Sequence, residues 1–223
     1  MHNKIDLVIF DCDGVVIDSE IVSAQVLINM LAPLNVNIDS AFVQQHFLGC
    51  NFKTVTQIIA NDFNVQLSAD FEKQYRDALV KEFLTQLKPT NGIEEVLSQL
   101  AVPFCIATSS SPERTEKALN TVNLATYFGS NVFTSSEVKH GKPAPDLFLH
   151  AANKMAISPE NALVIEDSKA GVSAGLSANM QVLHYCGGLH LQKGVNHVPS
   201  AFNELDVLAH WQEFFNVYPA LRK

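Results

Sequence analysis

Short apolar runs recur along this chain, and most are followed by a stretch with helical spacing. Val8-Ile9-Phe10, Phe104-Cys105-Ile106-Ala107, Asn131-Val132-Phe133, Ala162-Leu163-Val164-Ile165 and Gln181 to Tyr185 have the length and composition of buried strands. Between them, Asn91 to Leu100, a segment opening at Ser111-Pro112-Glu113, Asp146 to Met155 and Ser168 to Ala178 read as helices. Asn91 and Glu94 stand at capping-box spacing, and Ser111 with Pro112 forms an N-cap followed by a first-turn proline. Strands that are apolar on both faces and alternate with helices predict a doubly wound parallel sheet, an α/β fold.

Residues 16–87 have a different texture. No strand-like run occurs there. Glu20 to Leu31 reads as a helix that ends before Pro33, and Asp39 can cap another through Phe47. Ser68 is placed to cap a long third helix, in which Phe71, Tyr75, Ala78, Leu79 and Phe83 recur on one face. The expected organisation is therefore a core from 1–15 and 88–223, with an all-helical cap inserted as 16–87.

Composition narrows the function. With 47% hydrophobic and 17% charged residues, the 223-residue chain is ordinary for a soluble globular protein. No apolar run approaches the roughly 20 residues a membrane helix needs, and no signal peptide is evident, so a cytoplasmic, membrane-independent monomer is expected. A net charge of −8 without a basic stripe argues against nucleic acid. It also means that any anion site must carry its own local positive charge. Cys12, Cys50, Cys105 and Cys186 are far apart and form no C-x-x-C pair, so buried free thiols are expected.

Candidate chemistry collects where the strands end, which is where ligands bind in open parallel sheets. The first strand ends in Asp11 and Asp13, two residues apart and able to face one pocket. The Ile106 strand ends in Thr108-Ser109-Ser110-Ser111, and the Ile165 strand in Glu166-Asp167. Lys142 precedes a helix within Gly141-Lys142-Pro143-Ala144-Pro145-Asp146. Four neighbouring carboxylates need a countercharge, and an all-oxygen donor set suits Mg²⁺. A metal, a lysine and hydroxyls together describe a phosphate site. There Asp11 can attack phosphorus, Asp13 can act as acid and base, and Thr108, Ser109 and Lys142 can hold phosphoryl oxygens, with Gly14 allowing close backbone approach.

These stretches, in this order and with Gly171 following Glu166-Asp167-Ser168-Lys169-Ala170, resemble the haloacid dehalogenase superfamily, and the helical insert resembles its mobile cap. The resemblance implies that Asp11 is the nucleophile and a metal ligand, and that Asp13 is the acid/base with its backbone carbonyl on Mg²⁺. It further implies that Thr108 and Lys142 bind phosphate, that Asp167 is a metal ligand and that Glu166 is a direct or indirect one. Dehalogenases of the superfamily lack the second aspartate, so Asp13 argues for a phosphatase or phosphomutase. Phosphomutases of the β-phosphoglucomutase type carry a cap histidine and a cap arginine where this chain has Ser23 and Phe52. The favoured activity is hydrolysis of a small sugar or sugar-acid phosphate, with 6-phosphogluconate as one such substrate and the mutase as the alternative. The cap loop Phe47 to Lys53 is expected to close over the leaving group, with Asn51 and Lys53 touching it. A phospho-acceptor signalling domain shares the aspartate, hydroxyl and lysine, but the roughly 70-residue insert and the acid/base at Asp13 argue against it. No G-x-G-x-x-G follows the first strand, which disfavours a dinucleotide site. His184, His190 and His197 match no zinc spacing and read as solvated loop or strand residues; Trp211, Phe214 and Phe215 read as a C-terminal helix docked on the core.

Overall fold

The computed structural model describes residues 4–47, 52–191 and 205–223. The chain divides into two compact units, Met1–Asp18 with Lys88–Lys223 and Ser19–Leu87.

The larger unit holds strands β1 (Leu7–Phe10), β2 (Phe104–Thr108), β3 (Val132–Thr134), β4 (Ala162–Glu166), β5 (Gln181–Tyr185) and β6 (Asp206–Leu208). They form one sheet in the order β3-β2-β1-β4-β5-β6, and every pairing is parallel. The strand order reverses between β1 and β4, which opens a crevice at their carboxyl ends. The register there is tight: Phe10 faces Ile165, and the Asp11 N–H donates to the Ile165 carbonyl at 2.9 Å.

Leu7, Val8, Ile9 and Phe10 are wholly buried because both faces of β1 are covered. On one face Leu7, Ile9, Ala107 and Val164 pack with Leu147, Phe148 and Ala151 of the helix Asp146–Lys154. On the other, Phe10 meets Phe104, Phe128 and Trp211 edge-on or tilted, with ring centroids 6.0–6.4 Å apart. Trp211 also stacks on Tyr185 at 4.4 Å and donates its indole N–H to Thr90. It docks on the core as expected, but on a 3₁₀ turn, Trp211–Glu213, that leads into the short helix Phe214–Val217.

Among the described residues of the smaller unit, every regular element is a helix. It comprises α1 (Ser19–Leu31), α2 (Ser40–His46), α3 (Phe52–Phe63) and α4 (Phe71–Gln86). Leu27, Leu31, Val36, Val55, Ile59 and Phe71 form its own core. Asp39 caps α2 by accepting the Phe42 N–H at 2.8 Å.

Two expected caps differ. The N-cap of α4 is Asp70, with no side-chain cap bond, and Ser68 contributes only its carbonyl, to the Phe71 N–H. Helix α5 (Ile93–Gln99) starts from Gly92 rather than Asn91. Gly92 has φ +99°, and a Cβ there would lie 2.8 Å from the Gln212 side chain and 3.2 Å from Trp211. Packing against the C-terminal turn therefore sets this helix start, overriding the local capping signal. The remaining helices of the larger unit are α6 (Pro112–Thr121), α7 (Ala125–Phe128), α8 (Asp146–Lys154), α9 (Lys169–Ser177) and α10 (Phe214–Val217).

Candidate active site

The crevice between β1 and β4 gathers side chains from segments more than a hundred residues apart. Lys142, from the loop before α8, places its Nζ 2.6 Å from Asp11 Oδ1, 2.7 Å from Glu166 Oε1 and 2.9 Å from the Ala107 carbonyl. All three donors of the ammonium are thereby engaged, and its side chain is only 5% exposed. The other carboxylate oxygen of Glu166 accepts from the Ser168 N–H and hydroxyl, each at 2.9 Å.

Ser168 caps α9 by accepting the Gly171 N–H. Gly171 is there for space. A Cβ would stand 1.7 Å from Glu166 Oε1, far closer than van der Waals contact allows. Gly171→Ala is therefore expected to push Glu166 off Lys142 and to lower the unfolding free energy by about 1–3 kcal/mol, measured by urea titration of the metal-free protein.

Asp167 turns toward the same crevice. One oxygen from each of Asp11, Glu166 and Asp167 can be chosen so that all lie within 4.8 Å of one another. Gly14, with φ +80°, lets the loop after β1 pass over Asp167; a Cβ there would lie 2.0 Å from Asp167 Oδ2.

Asp13 holds a separate set of partners. Arg114 grips it bidentately, Nη1 to Oδ2 and Nη2 to Oδ1, both at 2.8 Å. Ser110 donates its hydroxyl to Oδ2 at 2.6 Å and also meets Arg114 Nη1. Thr108 ends β2, buried, and its hydroxyl accepts the Ser110 N–H at 3.1 Å. Ser109 is exposed, and its carbonyl accepts from the Ser135 hydroxyl.

The electrostatics follow from this crowding. Burial raises the Asp11 carboxyl well above the ordinary range; Lys142 opposes the rise, while Glu166, Asp167 and Asp13 add to it. Asp167 is raised likewise, by burial and then by Glu166. Burial works against the Lys142 charge, but Asp11 and Glu166 outweigh it and raise its pKa. Four carboxylates face two cations, Lys142 and Arg114, which leaves an excess of negative charge among hard oxygen donors. That donor set fits a divalent cation such as Mg²⁺, with Asp11, Glu166 and Asp167 as the residues that would hold it.

His190 departs from the expectation of a solvated loop residue. Its side chain is 7% exposed, with Nε2 3.0 Å from Asp167 Oδ2. The segment after β5 brings it there: the Leu189 N–H donates to Asp18 Oδ1 at 2.9 Å, and a Cβ on Gly188 would lie 2.8 Å from the Gly14 carbonyl. His184 is also buried, within β5, its Nε2 3.1 Å from the Asp167 carbonyl oxygen. His197 lies outside the described residues, as do Asn51 and Cys50. Cys12, Cys105 and Cys186 are free thiols, the first two buried, and burial raises the pKa of each. Lys53 is exposed in the first turn of α3.

The chain as a whole has counterparts among known proteins. Residues 5–179 match the haloacid dehalogenase-like hydrolase family. The chain belongs to that family. Like other haloacid dehalogenase-like hydrolases, it is an enzyme, and its named relatives make it a phosphatase. It is 27% identical over 207 residues to a 6-phosphogluconate phosphatase of Escherichia coli K12, covering 92% of this chain and 94% of the relative. A conserved haloacid dehalogenase-like protein of unknown function from Agrobacterium tumefaciens shares its structure with a TM-score of 0.88 at 30% identity, covering 97% of this chain and 98% of the other. A HAD family hydrolase from Deinococcus radiodurans, solved with bound phosphate and sodium, aligns with a TM-score of 0.83 at 29% identity over 97% and 96% of the two chains.

Arg114 and Ser110 are the polar side chains around this hydrolase's acids that sequence reasoning passed over. The signal was available. Arg114 sits in the first turn of α6, directly after β2, and a helix that starts there begins at the sheet edge where ligands bind.

Proposed function

We propose that this enzyme is a Mg²⁺-dependent phosphatase that hydrolyses a small sugar or sugar-acid phosphate monoester by way of a phosphoaspartate on Asp11. The observation that carries this reading is Lys142 Nζ bridging Asp11 at 2.6 Å and Glu166 at 2.7 Å, with Asp167 in the same cluster. Lys142 occupies Asp11 Oδ1, so the second oxygen is the one that attacks phosphorus while the bond to the leaving alkoxide breaks. Asp13 gives that alkoxide its proton and later takes one from the water that attacks the phosphoaspartate. The second attack restores Asp11 and releases inorganic phosphate.

Thr108 accepts from the Ser110 N–H, which leaves its own hydroxyl proton for a phosphoryl oxygen. Lys142 supplies positive charge to the same group in a poorly screened place, and the positive-φ turn at Gly14 lets backbone approach closely. When bound, Mg²⁺ supplies Lewis-acid neutralisation of the phosphoryl oxygens. The 6-phosphogluconate phosphatase relative supports a sugar acid as substrate, with 6-phosphogluconate the first to try.

The test is a phosphate-release screen over sugar, sugar-acid and polyol phosphates and nucleotides, with Mg²⁺ and with excess EDTA. Turnover of sugar or sugar-acid phosphates that disappears in EDTA and returns with Mg²⁺ is expected. Undiminished release in EDTA would remove the metal from the mechanism. Interconversion of sugar phosphates without net phosphate release would replace hydrolysis by a mutase.

A further inference from the structure

We propose that Arg114 is a positioning residue for Asp13, fixing the direction in which the acid/base carboxylate presents itself. This inference rests on the assignment of Asp13 as acid/base. Asp13 lies in the loop after β1 rather than in the strand, so strand pairing does not set its orientation. A guanidinium that meets both carboxylate oxygens at 2.8 Å fixes the plane of the carboxylate as well as its distance.

Arg114 is itself well anchored. Its backbone N–H belongs to the first turn of α6, where it points to the Ser111 N-cap hydroxyl, and α6 follows directly from β2. The position of the sheet is thereby transmitted across 101 residues of sequence to the loop of β1. Ser110 closes the arrangement. It donates to Asp13 Oδ2, the same oxygen that Arg114 Nη1 meets. Together the two side chains hold the Asp13 carboxylate from the β2–α6 side.

Arg114→Met, Arg114→Lys, Asp13→Asn and the Arg114→Met/Asp13→Asn double variant should be compared on p-nitrophenyl phosphate with Mg²⁺, each checked by thermal melting. Arg114→Met should lower kcat by about 100-fold, the loss a misplaced catalytic group brings, with KM changed less than about threefold. Arg114→Lys keeps the charge without the fork and should recover only part of the loss. In the Asp13→Asn background, removing Arg114 should change nothing further, because the group it positions is already gone.

Full activity in Arg114→Met beside a dead Asp13→Asn would overturn the proposal and leave the acid/base assignment standing. So would a rise in KM alone, which would place Arg114 on the substrate, or losses that multiply in the double variant. An active Asp13→Asn would instead overturn the acid/base assignment. If Arg114→Met does not fold, Arg114→Lys decides: reduced kcat at an unchanged melting temperature supports positioning, and unchanged kcat refutes it.

Discussion

Asp11→Asn is expected to abolish phosphate release, with a fall in kcat of about 10⁴-fold or more, as when other covalent enzymes lose their nucleophile. The reasoning begins with charge. An amide of the same shape can still accept from Lys142 Nζ, so the 2.6 Å contact and the surrounding fold should survive. It cannot attack phosphorus as a carboxylate does. Stability separates chemistry from folding. Burial and three neighbouring acids raise the Asp11 carboxyl, which means that the ionised form is disfavoured in the folded protein. Removing that charge should leave the melting temperature in metal-free buffer unchanged or higher. Brief exposure to ³²P-labelled substrate followed by acid quench should label the native enzyme and not the variant. Normal turnover by homogeneous Asp11→Asn would overturn the nucleophile assignment.

The sheet and its acidic edge were legible in the sequence for a simple reason. Both depend on local patterns: an apolar run long enough for a strand, ended by Asp11 or by Glu166-Asp167, places a carboxylate at the carboxyl edge whatever the rest of the chain does. Lys142 was legible through its surroundings, a lone lysine in a Gly-Lys-Pro turn ahead of a helix. What escaped depends on tertiary neighbours. Nothing near Asn91 reports that Trp211 and Gln212 crowd Gly92 and move the helix start there. His190 reads as a loop histidine until the Gly187–Gly188 turn carries it onto Asp167. Arg114 looks like a solvated helix residue, because its partner Asp13 lies 101 positions away. Helix α3 starts at Phe52, inside the stretch Phe47 to Lys53 that reads as a loop, although Phe52, Val55 and Ile59 keep helical spacing. The three-residue strand β6 is too short to stand out in the sequence.

Lys142→Met should damage stability and activity together. Its ammonium is the countercharge shared by Asp11 and Glu166, whose side chains are 11% and 1% exposed. Removing one partner of a buried ion pair leaves the other charge without compensation, at a cost of about 3–5 kcal/mol. Methionine fills a similar volume, so packing is a minor part of the loss. The sign of the pH dependence follows from the acids left behind. Asp11 is already raised by burial, and replacing Lys142 removes the charge that opposes the rise. A carboxyl with a raised folded pKa binds more protons folded than unfolded, so its contribution to stability is lost as pH rises. Urea titration of the metal-free variant should therefore show stability falling as pH rises above the ordinary carboxylate range, more steeply than in the native protein. Saturating Mg²⁺ should restore part of the difference by mass action, because a divalent cation supplies the missing countercharge to the same three carboxylates. Activity should not return with it. Mg²⁺ cannot replace an ammonium that holds Asp11 Oδ1, leaves the second oxygen to attack, and adds its own charge to the phosphoryl group. A Lys142→Met enzyme as stable as the native one at pH 8, or as active once Mg²⁺ is added, would show that the ion triad is not what holds this site together.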